Sequence, residues 1–143
     1  AYEKPSFKDS LIEQRCLIPA DGFIEWQGPE KQPYYIYLKT RALFAFAGLW
    51  SVWKYPEGKV LQTYTILTKE ANKKLIPIHA RMPIILPIEQ YKPWLSSNSS
   101  LNDIMGILTT PSSEELDFHP VSKAINRVSE STNSKQFLKP IML

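Results

Sequence analysis

Proline interrupts this chain too often for long helices to build it. Twelve prolines stand among 143 residues. Each fixes φ, removes a backbone donor and breaks the interior of a helix. The runs between them are rich in aromatic and β-branched residues: "YYIYL" at 34–38, "ALFAFAGLWSVW" at 42–53 and "QTYTILT" at 62–68. Such runs suit strands. "FIEW" at 23–26 reads as a shorter strand, "RMPIIL" at 81–86 as one closed by Pro87, and "LDFHPVS" at 116–122 as the last. Turns fall at Pro19 and Asp21-Gly22, in the hairpin-type loop "QGPEKQP" at 27–33, and in "YPEGK" at 55–59. Helical signals are short. Ser6 followed three residues later by Asp9 resembles a capping box, with Phe7 and Leu11 one turn apart. "KEANKKL" at 69–75 suggests one or two helical turns, and "PIEQYKPWL" at 87–95 and "LNDIMGIL" at 101–108 two further helices, with "SSNSS" at 96–100 a loop. From Lys123 on the pattern assigns no element, and "SESTNSK" at 129–135 is polar. The expectation is one α+β domain, mostly antiparallel and barrel-like, with short peripheral helices.

Composition narrows the class. Hydrophobic residues at 43% and aromatics at 12% support a packed core. No apolar run reaches the roughly 18 residues of a membrane helix. "AYEKPSFKDS" has no apolar stretch of the signal-peptide kind. The chain is therefore expected to be a soluble cytoplasmic protein without a membrane partner. Its one cysteine, Cys16, excludes an internal disulfide and a cysteine metal cluster, and two histidines are too few to suggest a metal site. The net charge of +3 permits a polyanion without demanding one. Seventeen Lys and Arg among seven Tyr, six Phe and four Trp suit single-stranded nucleic acid, where bases stack and phosphates pair. The plainer reading of the same mixture is a solvated surface over an aromatic core.

Two stretches invite chemistry. In "GFIEWQ" the acid Glu25 shares a strand face with Phe23 and Gln27, while Ile24 and Trp26 take the other. A carboxylate beside aromatics loses hydration, which suits an acid–base group near neutrality. The alternative is a rim glutamate paired with a lysine. In "IHARMP", His79 and Arg81 are two apart, and on extended backbone both would face one way, an imidazole beside a cation that can hold phosphate. The alternative is a loop-end histidine and a solvated arginine. Cys16, in "RCLIP", reads as a buried, unreactive packing residue. No phosphate-cradling glycine loop, G-x-S-x-G elbow or H-E-x-x-H is present.

Five stretches in order, "RCLIPADGFIEW", "FAGLW", "TILTKEAN", "IHARMP" and "HPVSKAINRV", resemble the SOS response-associated peptidase (SRAP) family, whose members include sensors of abasic sites in single-stranded DNA. The resemblance implies that an N-terminal Cys, exposed when the initiator Met is removed, attacks the aldehyde of a ring-opened abasic sugar and closes a thiazolidine, leaving a DNA–protein crosslink. It implies Glu25 as the acid–base group and His79 as its partner near the sugar. Thr68 would line the site in one cleft with both, and Trp26 and Arg81 would meet DNA, with Arg15 and Arg127 as further contacts. No cofactor and no metal are expected.

One departure stands out. A Glu-Lys-Pro-x-Phe stretch like that at the start here lies well inside the family's domain, after the Cys, a Trp-containing segment and a catalytic Asn. The chain is therefore expected to be the C-terminal two-thirds of such a domain, and Cys16, internal to the chain, has no free α-amine to replace the missing one. Ala80 also stands where relatives often carry Asp or His. Three functions follow: a crosslinking sensor of abasic sites with self-processing peptidase activity, a non-covalent single-stranded DNA binder, or a peptidase acting on proteins. Nothing in the sequence speaks to oligomeric state.

Overall fold

A computed structural model describes residues 6–111, 114–127 and 134–143. The polar stretch from Ser129 therefore lies mostly outside the described residues. The chain forms two compact units and passes repeatedly between them. The first comprises Ala1–Pro19, Phe44–Thr68 and Pro83–Ser113, the second Ala20–Leu43, Lys69–Met82 and Glu114–Leu143.

In the first unit, α1 (Phe7–Glu13) starts at the capping box foreseen from the sequence. Ser6 Oγ accepts from Asp9 N, and the Asp9 carboxylate accepts from Ser6 N. Strands β1 (Arg15–Ala20), β4 (Phe44–Lys54) and β5 (Val60–Ile66) lie in that order in one sheet, and the two-residue β8 (Ile85–Leu86) also pairs with β4. Helices α2 (Tyr91–Leu95) and α3 (Leu101–Thr109) follow, α3 with its own box between Ser100 and Asp103. Trp94, Ala47 and Ile104 are fully buried, with Leu49, Leu86 and Ile107 beside them. Burying each large apolar side chain of that kind stabilises by about 1.5–3 kcal/mol.

The second unit is built on the antiparallel sheet β2 (Phe23–Gln27), β3 (Gln32–Leu38) and β9 (Leu116–Pro120). Glu25 lies opposite Tyr34 and Phe23 opposite Ile36. The β2–β3 turn places Gly28 at φ +65, the left-handed region that glycine enters without strain. Before β2, Gly22 is required by space, because a Cβ there would lie 2.2 Å from the Tyr35 ring. Tyr35, Tyr37 and Val121 form a small core on the sheet's other face, with Ile24, Ile125 and Leu138 packed against it.

The structure corrects three expectations. No closed barrel forms among the described residues; the strands make three open sheets. "KEANKKL" is no helix. Its first residues join β6 (Thr68–Glu70), which pairs with β7 (Arg81–Pro83), and Ala71 N bonds to Ala80 O at 2.9 Å. Asn72 then opens a tight turn, its Oδ1 accepting from Leu75 N, and Pro77 bars a longer helix. "RMPIIL" is two strands, since Pro83 offers no donor and Ile84 N turns to Leu67 O. No helix of the described residues is long and apolar enough to cross a membrane.

Candidate functional site

Glu25 stands half-buried in the middle of β2, on the sheet face shared with Phe23, Gln27 and, across the ladder, the buried Tyr34. Tyr34 packs edge-on against Phe118 with ring centroids 5.7 Å apart. One carboxylate oxygen of Glu25 accepts the N–H of Trp26 at 3.2 Å, which steadies the acid against its own strand. Two contacts tie the segment after Asn72 to this region. Gln27 Nε2 donates to Pro77 O at 2.8 Å, and Lys74 Nζ lies 5.3 Å from the Phe118 ring centroid. Glu25 and Gln27 project from one face of β2. The carbonyl that Gln27 reaches lies two residues before His79.

His79 is exposed, and its ring folds back on the chain. Nδ1 lies 3.2 Å from the N–H of Arg81 and 3.1 Å from its carbonyl oxygen. When the ring is neutral with its proton on Nε2, Nδ1 accepts the N–H; when Nδ1 is protonated, it can donate to the carbonyl. The imidazole Nδ1 thus has a backbone partner in either tautomer. The backbone bends at Ala80, so His79 and Arg81 are not the parallel pair that an extended segment would give. Arg81, at the start of β7, is exposed.

Trp26 points to the opposite face from Glu25 and is 40% exposed. Its indole N–H donates to Asn126 Oδ1 at 2.7 Å, and Asn126 Nδ2 donates to Lys31 O at 3.1 Å. Arg127, also exposed, follows Asn126 directly. Thr68 is exposed at the start of β6 and closes a segment of the first unit. Arg15, expected at DNA, also belongs to the first unit and has its guanidinium engaged with backbone. It donates to Trp94 O, Leu11 O, Ile12 O and Ser96 O, the last three at 2.6 Å, and lies 5.7 Å from the Trp94 ring centroid. Cys16, expected to be buried, is half-buried in β1.

Gln27 and Asn126 were not singled out from the sequence. The signal for Gln27 was its alternation with Glu25; Asn126 lay inside "HPVSKAINRV" without a reason of its own. Among the described residues no three His, Cys, Asp or Glu side chains gather as a metal ion would require.

A crystal structure of a protein from Bacteroides thetaiotaomicron shares this fold with a TM-score of 0.85 and 30% identity, over 99% of this chain and 62% of that one. The abasic site processing protein YoqW of Bacillus subtilis is 40% identical over 141 residues, 96% of this chain and 62% of the relative. The abasic site processing protein HMCES of Xenopus tropicalis is 35% identical over 152 residues, 91% of this chain and 45% of the relative. The chain thus spans less than two thirds of the relatives it matches. Residues 1–128 match the model of the SOS response associated peptidase (SRAP) family, and the chain belongs to that family.

Proposed function

We propose that this chain is the part of an SRAP domain that recognises abasic sites in single-stranded DNA, with Glu25 and His79 as its acid–base pair. The observation that carries the reading is the bond from Gln27 Nε2 to Pro77 O, 2.8 Å long. It ties the strand that bears Glu25 to the segment that bears His79. The double backbone partnership of His79 Nδ1 and the half-buried setting of Glu25 support the same roles. The names of the relatives support an abasic substrate.

The covalent step needs an amine and a thiol on adjacent carbons. The amine adds to the sugar aldehyde and water leaves as the Schiff base forms. The thiol then adds to the C=N carbon, its proton goes to the nitrogen, and a thiazolidine results. A nearby carboxyl group can protonate the departing oxygen and recover a proton from the nitrogen as the C=N bond forms, and in the second step it can relay the thiol proton to that nitrogen. Within residues 1–143 this pair of groups is not supplied, since Ala1 has no thiol and the Cys16 nitrogen is in a peptide bond. The polypeptide beginning at Ala1 is expected to give no heat-stable band with an abasic oligonucleotide on a denaturing gel without reductant. A version extended by a family-type segment that starts with Cys is expected to give one. Glu25→Gln in that version should slow the crosslink by about 10²–10⁴-fold, the usual share of general acid–base catalysis. An extended protein that crosslinks at full rate with Gln at 25 would remove Glu25 from the chemistry.

The second reading is a non-covalent binder of single strands. It draws on Trp26, whose exposed indole has its N–H already satisfied by Asn126. Binding without a crosslink from the extended protein would favour it.

A further inference from the structure

We propose that Asn126 is a positioning residue, holding the Trp26 indole as a stacking platform for an unpaired base. This rests on the reading of Trp26 as a DNA-facing aromatic. The indole N–H donates and the Lys31 carbonyl accepts, so a side chain between them must accept at one end and donate at the other. The Asn126 amide does both, at 2.7 Å and 3.1 Å. Leu would do neither, and Asp would accept only.

The amide is itself well anchored. It ends a short 3-10 turn, Lys123–Asn126, capped by Ser122, whose Oγ accepts from Ala124 N at 3.1 Å. Ile125, the preceding residue, packs against the Tyr35, Tyr37 and Val121 core. Lys31 stands at φ +52 in the β2–β3 turn, and its N–H bonds to Gly28 O at 3.2 Å. Asn126 thus joins two fixed backbones and one exposed ring. A partly exposed indole that is free to change rotamer must lose that freedom when a base stacks on it; one already held loses less. Its ring N–H is satisfied in advance, so stacking strands no polar group.

The test measures binding of the 143-residue chain to two strands of equal length: an ordinary oligothymidine, and one in which every nucleotide is an abasic analogue. Both present phosphates, but only the first presents bases. Asn126→Leu is expected to weaken oligothymidine binding roughly 2- to 12-fold, the ordering cost of one mobile side chain, and to leave the all-abasic strand unchanged. Trp26→Ala should weaken the same strand at least as much, again with no effect on the other. Asn126→Asp, which retains the acceptor but adds charge, should weaken both strands. Equal losses on both strands with Asn126→Leu would make the residue merely structural and overturn the proposal. Wild-type binding by Asn126→Leu, with Trp26→Ala impaired, would overturn it and leave the role of Trp26 standing. If Trp26→Ala bound both strands normally, the reading beneath it would fall. Hydrogen exchange of the Trp26 indole N–H gives a second measure should Asn126→Leu be poorly folded: in Asn126→Ala it should quicken, and an unchanged rate would show that the amide does not hold the ring.

Discussion

Cys16 and Glu25 show how differently two residues with plain local patterns turn out. "RCLIP" read as a buried segment, yet Cys16 is only half-buried, and burial pushes its thiol up from the ordinary cysteine value. The thiolate is the nucleophile, so a raised pKa leaves less of it at any pH below the titration. Cys16 should therefore label more slowly with a thiol reagent at neutral pH in the folded chain than in denaturant, and the folded rate should climb to higher pH before levelling. Equal rates at neutral pH in both states would contradict this. Glu25 was more legible. The alternation in "FIEWQ" put it opposite in direction to Trp26, and the ladder agrees. That Gln27 would reach Pro77, fifty residues on, was not legible, because no local pattern encodes the partner of an amide.

Elements were readable where their stop and start signals were local. The Ser6–Asp9 box announced α1, and the same spacing in Ser100–Asp103 begins α3. Residues 69–75 misled because helix formers there yield to pairing between β6 and β7, a tertiary term that propensity does not contain. Arg15 belongs to this scale too. Its one planar group reaches the last carbonyls of α1, at Leu11 and Ile12, and those at the end of α2, at Trp94 and Ser96. Carbonyls at helix ends have no partner within the helix, and a fixed fork of donors can serve several at once. Arg15→Ala should lower unfolding free energy by roughly 1–3 kcal/mol, in line with losing hydrogen bonds to a charged group. Arg15→Lys should recover only part of it, since an ammonium cannot span both helices. Urea unfolding measures this. A variant as stable as the parent would show that these bonds contribute nothing net. Because these donors are engaged, Arg15→Ala should leave single-strand affinity unchanged when the protein is folded.

At the scale of the whole molecule, strand content and antiparallel pairing followed from the proline spacing and the aromatic runs, whereas closure into a barrel did not. Which strand neighbours which depends on contacts between residues far apart, such as β3 with β9. Net charge likewise gave permission for a polyanion and no address. With 17 Lys and Arg against 14 Asp and Glu, the excess is too small to grip DNA by its overall field. Affinity should then come from a few placed cations, and salt dependence counts them. Each phosphate neutralised on a single strand changes log K by about −0.7 per decade of salt. If Arg81 and Arg127 are the phosphate partners, the slope should be roughly −1.4, and Arg81→Ala or Arg127→Ala should each reduce it by about 0.7. Trp26→Ala should lower affinity with the slope unchanged, because stacking releases no counterions. Binding titrations at several salt concentrations separate the two kinds of loss. A slope near zero would mean that neither arginine meets phosphate, and a slope much steeper than two contacts allow would place the interface on cations elsewhere in the chain.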